Sequence, residues 1–499
     1  MKKRLLYLLT CFTITTLLYS QENRPNIILV MCDDLGYGDT GFNGSTVVQT
    51  PNLDKLAAKG AVFTRFFSGA PVCSPTRGTC LTGRHHFRYG IWKANTGRLP
   101  KEEITIPKVL HDNGYSTAHF GKWHLGVPNI NQKGKGGGQQ NMCLPEWFNY
   151  DEHFITHHSV ALYNPFGSDG KEAISTGNPY WHNGERVIDN IIGDDNRIIM
   201  DRVIPWLDNL SKKDDPFFMV LWWHTPHKPV DASPEHRAIY KHLSESEQKY
   251  YGAITAMDQQ MGRMVKTLKA NGQLENTMLW FCSDNGPIKP GSTAGLKGSK
   301  GQLFNGGVVV PAFLYWESHV NAGDVIETPC STLDYLPTIF DILNIPQVSD
   351  RPIDGLSLYP IIKGETTKRD KGIPFRFENS RGGSPRGGCL KGNYKYLTWF
   401  DQTGQQNDVL FNIMADMKEA NDISTHHPDI VEELKTETNA FLESAKLSFE
   451  GADYQDANYQ PVGPWWGKDL KASGGKKGGK NSKKQNKEKK SKEAKNNER

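Results

Sequence analysis

Two short clusters carry residue types that could do chemistry. Asp33-Asp34 follow directly on the apolar run Asn26 to Met31, and Asp284-Asn285 follow directly on the run Met278 to Phe281. In open parallel sheets, ligands collect outside the carboxyl ends of the strands. Three carboxylates and an amide oxygen converging there would repel one another without a cation. This all-oxygen set suits one hard ion, Ca²⁺ with Mg²⁺ as the alternative. Taken singly, each pair reads equally well as a helix cap or a turn. Cys73, four residues before Arg77, is the third candidate. A cysteine is commonly a small buried hydrophobe, so its flanking residues must decide.

Those residues, Cys73-Ser74-Pro75-Thr76-Arg77-Gly78-Thr79-Cys80-Leu81-Thr82-Gly83-Arg84, resemble the signature of the type I sulfatases of the alkaline phosphatase superfamily. In that family the cysteine of C-x-P-x-R is oxidised to formylglycine (3-oxoalanine) by a partner, a formylglycine-generating or anaerobic maturase enzyme. Further matches follow in the family's order. Pro25-Asn26-Ile27-Ile28 leading into Asp33-Asp34-Leu35-Gly36-Tyr37-Gly38 is similar to its amino-terminal strand. Gly121-Lys122-Trp123-His124-Leu125-Gly126 is similar to its second signature, and His224-Thr225-Pro226-His227-Lys228-Pro229 to its histidine loop. Phe281-Cys282-Ser283-Asp284-Asn285-Gly286 and Lys297-Gly298-Ser299-Lys300-Gly301 complete the set.

A sulfate ester presents anionic oxygens and an alkoxide leaving group, so its hydrolysis needs positive charge on the former and a proton for the latter. A thiol at Cys73 would form a thiosulfate ester with no easy escape. A hydrated aldehyde offers two hydroxyls, one to attack sulfur and one to expel sulfate. The resemblance implies that residue 73 is both metal ligand and nucleophile, with Asp33, Asp34, Asp284 and Asn285 as the other ligands. It implies Asp284 as base for the attack, Arg77 steadying the hydrate, Lys122 and Lys300 on sulfate oxygens, His227 as acid and His124 as acceptor of the proton that lets sulfate depart. Within the loop, His227 fills the H-x-P slot and leaves His224 a supporting place. Between Lys297 and Lys300, the spacing to Asn305-Gly306-Gly307 favours Lys300. One stretch departs from the family: E-G-G-x-R-x-P is here Asn305-Gly306-Gly307-Val308-Val309-Val310-Pro311, losing an acid and a base together, and reads as a neutral swap in a supporting strand.

The elements that must position these residues alternate between strand and helix. Unbroken apolar runs at Asn26 to Met31, Phe217 to Trp223, Met278 to Phe281 and Val308 to Trp316 predict strands buried on both faces of a parallel sheet. Between them, helices are expected at Pro51 to Lys59, Pro107 to Asn113, Asn196 to Leu210 and Ser244 to Ala270. The fold class is therefore α/β, a large mostly parallel sheet sandwiched by helices. From about residue 366 a smaller α+β subdomain with a short antiparallel sheet is expected, built from strands Tyr394 to Trp399 and Asp408 to Ile413 and a helix Pro428 to Leu447. The expected organisation is a signal at 1–20, a catalytic domain at 21–365, a C-terminal subdomain at 366–465 and a disordered Lys-rich tail at 466–499.

Lys2, Lys3 and Arg4 followed by the apolar stretch Leu5 to Leu18 read as a signal peptide, with the mature chain starting at Gln21. That predicts export, to the periplasm or beyond, with no membrane span in the mature chain. Anchoring as a lipoprotein through Cys11 is set aside because Leu8-Leu9-Thr10-Cys11 falls too early in the apolar stretch. The formal charge of +4 misleads, since residues 1–20 carry +3 and residues 471–499 carry +9, which leaves −8 on residues 21–470. An acidic body argues against a nucleic-acid partner. Cys32, Cys73, Cys80, Cys143, Cys282, Cys330 and Cys389 are too sparse for a disulfide framework.

Substrate choice should come from loops around the carboxyl ends of the strands. Candidates are His85, His86 and Arg88, the segment Asp151 to Asn164 with His153, His157 and His158, Arg381 to Arg386, and the aromatics Trp147 and Tyr163. The resemblance implies a sulfated polysaccharide or its oligosaccharides, including algal ones, as substrate. Small aryl sulfates, phosphodiesters or phosphonates are the alternatives, and a non-catalytic carbohydrate-binding protein would need a broken site. The Lys-rich tail reads as a solvated extension or as a grip on anionic polysaccharide.

Overall fold

The structure, a computed structural model, describes residues 24–131, 141–172, 177–213, 215–378, 384–401 and 403–467. The signal sequence, Cys11, Arg381 and the tail beyond residue 467 lie outside the described residues.

Among the described residues, sixteen strands follow in chain order. They are β1 (Asn26–Cys32), β2 (Ala61–Phe63), β3 (Phe66–Phe67), β4 (Ser116–Lys122), β5 (Glu152–Thr156), β6 (Trp181–His182), β7 (Glu185–Arg186), β8 (Phe217–Trp222), β9 (Thr277–Ser283), β10 (Phe313–Tyr315), β11 (Asp324–Ile326), β12 (Cys330–Ser331), β13 (Ile373–Arg376), β14 (Gly387–Lys391), β15 (Tyr394–Phe400) and β16 (Gln406–Asn412). Ten form one sheet in the order β11-β2-β10-β9-β1-β8-β4-β5-β6-β7. The central five, β9-β1-β8-β4-β5, are all parallel, so their carboxyl ends open on one edge of the sheet.

The apolar runs are continuous because both faces are covered. Ile27, Leu29 and Met31 pack into one core with helices Cys73–Thr82, Ile106–Asp112 and Tyr335–Ile342. Ile28, Val30 and Cys32 pack into the other with helices Pro51–Lys59, Asp195–Leu210 and Glu245–Ala270. The long helix starts on a capping box, Ser244 with Glu247, which satisfies two of its unpaired N–H groups. The four strands β13-β14-β15-β16 form a separate antiparallel sheet, backed by helix Pro428–Phe449.

One expected strand needs correction, and two strands were not expected. Val308 to Trp316 is not one parallel strand: residues Asn305–Val308 form a helical turn, and only β10 joins the sheet, antiparallel to β9 and β2. Pro311 has no N–H to give a ladder, and β10 begins two residues beyond it. Apolar runs also pass over β4 and β5, which bury Thr117, His119 and His153. Among the described residues no helix is long and apolar enough to cross a membrane, and every described cysteine is buried and unbridged.

Candidate active site

The acidic clusters are the first residues past adjacent strand ends. β1 pairs with β9 in register from Asn26 with Thr277 to Cys32 with Ser283, so Asp33-Asp34 and Asp284-Asn285 emerge side by side. All four are buried. Asp34 adopts a left-handed backbone, φ 70°, a conformation that aspartate tolerates better than most residues and that clusters at functional sites.

Cys73 begins helix Cys73–Thr82, and Pro75 sits in its first turn, where a missing N–H costs nothing. Arg77, one turn on, lies on the same face. The signature ends as a helix stop, with Gly83 at φ 66° returning its N–H to Thr79. Gly121, in β4, lets Lys122 reach the site: a Cβ there would meet the Trp222 carbonyl at 2.0 Å.

The side chains converge closely. The Cys73 thiol, Asp33 and Asp284 offer ligand atoms within 4.8 Å of one another, and so do Asp33, Asp34 and His227. Arg77 Nη2 donates to Asp284 Oδ2 at 2.8 Å and lies 3.8 Å from Asp33 Oδ1. Lys122 Nζ donates to Asp33 Oδ2 at 2.5 Å, and Lys300 Nζ donates to Asp34 Oδ1. His227 Nε2 is 3.8 Å from Asp34 Oδ2, and Asn285 Nδ2 donates to Asp34 Oδ1 at 2.8 Å.

The fit of this set to a cation can be judged from its oxygens. Asp33 Oδ1, Asp34 Oδ2 and Asn285 Oδ1 are all buried without a hydrogen-bond partner, an expensive state unless an ion takes their lone pairs. Electrostatics agree. Burial and the adjacent Asp33 push Asp284 up to about 7, against the pull of Arg77. Burial also works against Asp33, but Lys122, His227, Arg77 and Lys300 hold it well below the usual carboxylate range. Burial raises the Cys73 thiol despite Lys122 and Lys300, so a plain cysteine here is a protonated, poor nucleophile. Burial lowers His227 and His124 below the ordinary imidazole value.

The paired candidates separate in space. His224 is fully buried, bonded through Nε2 to Thr156 Oγ1 at 2.7 Å and through Nδ1 to Asp195 Oδ2 at 2.9 Å, whereas His227 faces the carboxylates. Lys297 Nζ turns away to the Glu419 carbonyl at 3.4 Å and lies over Phe304, whereas Lys300 reaches Asp34. The departure at Asn305 is not a neutral swap in a strand. Asn305 caps a buried ion pair, Lys395 with Glu419, contributed by the C-terminal subdomain.

Several rim candidates are misplaced. His85, His86 and Arg88 follow the far end of the Cys73 helix and are buried under helix Pro428–Phe449: His85 packs on Phe441 and Arg88 bonds Ser448. His153 lies inside β5, paired with Glu146. Trp147 is half-buried with Arg98 over its ring, and Tyr163 is held in a backbone bridge to Asp194. His157 and His158 do follow the carboxyl end of β5, and Ser384 bonds Gln302 at 2.9 Å, two residues from Lys300. One site residue lies in the Asp151 to Asn164 segment without a motif of its own. Ser159 donates to Asp33 Oδ2 at 2.9 Å, and only the pairing of β5 beside β4 brings it there.

Comparison with known proteins gives the class. The sulfatase family profile matches residues 25–345, and the chain belongs to that family. It is a sulfuric ester hydrolase of the alkaline phosphatase superfamily. Among its relatives is N-acetylgalactosamine-6-sulfatase of Mus musculus, 29% identical over 87% of this chain and 84% of that protein. The Homo sapiens N-acetylgalactosamine-6-sulfatase is 32% identical over 68% of this chain and 66% of that protein. Among solved structures, Ps i-CgsB in complex with k-i-k-neocarrahexaose is 29% identical, with a TM-score of 0.74 over 88% of this chain and 95% of that one.

Proposed function

We propose that this chain removes sulfate from a sulfated polysaccharide or its oligosaccharides, algal ones included, using formylglycine made from Cys73 and one Ca²⁺. The observation that carries the reading is the buried convergence of Cys73 with three carboxylates and with Arg77, Lys122 and Lys300. Asp33, Asp34, Asp284 and Asn285 would hold the ion, together with residue 73. Bound there, the ion would balance negative charge on the sulfuryl oxygens, and the hydrated aldehyde would supply the attacking hydroxyl.

The remaining tasks fall to side chains already in place. Lys122 and Lys300 bind sulfate oxygens from two sides, and their present partners Asp33 and Asp34 keep them aimed at the centre. Arg77, stacked over Trp222 at 5.0 Å, is rigid and orients residue 73. Asp284, bonded to Arg77, takes the proton of the attacking group. His227 protonates the bridging oxygen, a task suited to the histidine on the open side of the carboxylates. His124 takes the proton whose loss frees sulfate.

Support for a carbohydrate substrate comes from the bound oligosaccharide of Ps i-CgsB. The basic and apolar amino terminus supports export, and a maturase acting on the Cys73 to Arg77 motif is required. Peptide mass of the Cys73 segment, from protein matured in its own host, tests the nucleophile: conversion exchanges sulfur and two hydrogens for one oxygen. A panel of defined sulfated oligosaccharides, with aryl sulfate and aryl phosphodiester alongside, tests the substrate. Unconverted Cys73, or faster turnover of the phosphodiester, sinks the proposal.

A further inference from the structure

Asn95 belongs to none of the motifs above, yet it joins His124 to Ser74, the residue beside Cys73. Its amide oxygen lies 3.0 Å from His124 Nε2. On the other side of that ring, Nδ1 is buried and has no hydrogen-bond partner. The ring lines a small cavity together with His157 and Ser74, the neighbour of Cys73. An amide oxygen only accepts, so a bond to it puts the imidazole proton on Nε2 and leaves the Nδ1 lone pair free.

Both partners are held firmly. His124 has φ 55° and gives its backbone N–H to the His157 carbonyl at 2.9 Å. Asn95 has φ 59°, which asparagine tolerates, and its backbone N–H donates to Ser74 Oγ at 3.3 Å. Ser74 is the residue next to Cys73. The loop is closed by a Lys93–Thr96 bridge, and a Cβ on Gly97 would strike the Gly90 carbonyl at 2.0 Å. At its base, Trp92 is buried against Phe449 and Trp465, with ring centroids 5.0 and 5.3 Å away. The C-terminal segment therefore braces the loop that carries Asn95.

We propose that Asn95 is a positioning residue whose amide oxygen fixes the Nε2–H tautomer of His124, so that Nδ1 stands ready to accept the proton released as sulfate leaves. The catalytic half of this rests on the function proposed above; the tautomer does not. A side chain that orients a histidine from behind is a recurrent device, because the hydrogen bond made by one ring nitrogen decides the state of the other.

The test uses the full chain labelled with ¹⁵N-histidine, His124 being assigned by comparison with His124→Gln. At neutral pH the wild type should show the Nε2–H tautomer. Asn95→Gly removes the amide while keeping a residue at ease with positive φ, and should give mixed tautomers or Nδ1–H. Asn95→Asp retains an acceptor oxygen and should restore Nε2–H. In converted enzyme given an activated aryl sulfate, Asn95→Gly should release phenol in a burst followed by turnover slowed about 10–10²-fold, with KM unchanged or lower. A wild-type Nδ1–H tautomer, or an Nε2–H tautomer that survives Asn95→Gly, overturns the proposal. A shifted tautomer with unchanged turnover overturns its catalytic half. Wild-type protein inactive on every sulfate ester would overturn the proposed function and leave the tautomer assignment standing.

Discussion

Lys395 Nζ donates to Asn305 Oδ1 at 2.7 Å. Lys395 belongs to β15 in the small sheet, and Asn305 opens the helical turn that follows the Lys297 to Gly301 loop. The same ammonium donates to Glu419 Oε1 at 2.9 Å, and Glu419 Oε2 accepts from the Asn305 backbone N–H at 2.6 Å. The acid and base missing from residues 305–311 are thus matched by a buried pair from elsewhere in the chain. Lys395→Met would leave Glu419 buried and unpaired, and should destabilise the protein by about 3–5 kcal/mol in chemical denaturation. Adding Glu419→Gln should recover part of that loss. Equal stability of both variants would show that the pair does not hold this junction.

His227 should matter in proportion to the leaving group's need for a proton. His227→Ala is expected to cost about 10²-fold or more in kcat on an alkyl sulfate, and about tenfold or less on an activated aryl sulfate. Equal losses on the two substrates would remove its acid role.

Removal of the ion should make stability depend on pH near neutrality. Without a cation, Asp284 rises from 3.8 to about 7, so the folded protein keeps a proton that the unfolded chain has lost. Stability of chelator-treated protein should therefore fall as pH rises from about 4 to 7 and level off above. A cation held by these carboxylates would replace that proton, so addition of Ca²⁺ at pH 6 should release about one proton per ion into a weakly buffered indicator solution. Binding without proton release would place the ion elsewhere.

His119 should contribute to acid sensitivity. It is buried among Trp123, Tyr150 and Trp222, and burial lowers it from 6.5 to about 3. Between those values the unfolded chain binds a proton that the folded protein excludes, so stability declines as pH falls through that window. His119→Gln should lessen the decline between pH 6.5 and 5 by about 2 kcal/mol, measured as the change in unfolding free energy against pH. An identical pH dependence in the variant would mean that His119 is protonated when folded.

Much of this was legible in the chain. Helices Pro51–Lys59 and Glu245–Ala270, and strands β1, β8 and β9, lie where apolar runs and caps predict them, because those segments are fully covered and local pattern decides. β4 and β5 escaped because buried His119 and His153 break the apolar run while finding partners inside the fold. The rim candidates His85 and His86 failed for a related reason: a residue two positions past a signature can lie a full helix length from the cysteine that starts it.

By itself, the sequence determined the chemistry at hand, since residue types and short spacings specify which groups can bind a hard cation, carry charge or move a proton. Only the tertiary structure decided which of them face one another. The burial of His224 against Thr156 and Asp195, the turn of Lys297 toward Glu419, the arrival of Ser159 at Asp33, and the bracing of His124 by Asn95 depend on contacts between residues dozens to hundreds of positions apart. Such contacts are set by strand register and by what packs behind each loop, and neither leaves a local mark in the chain.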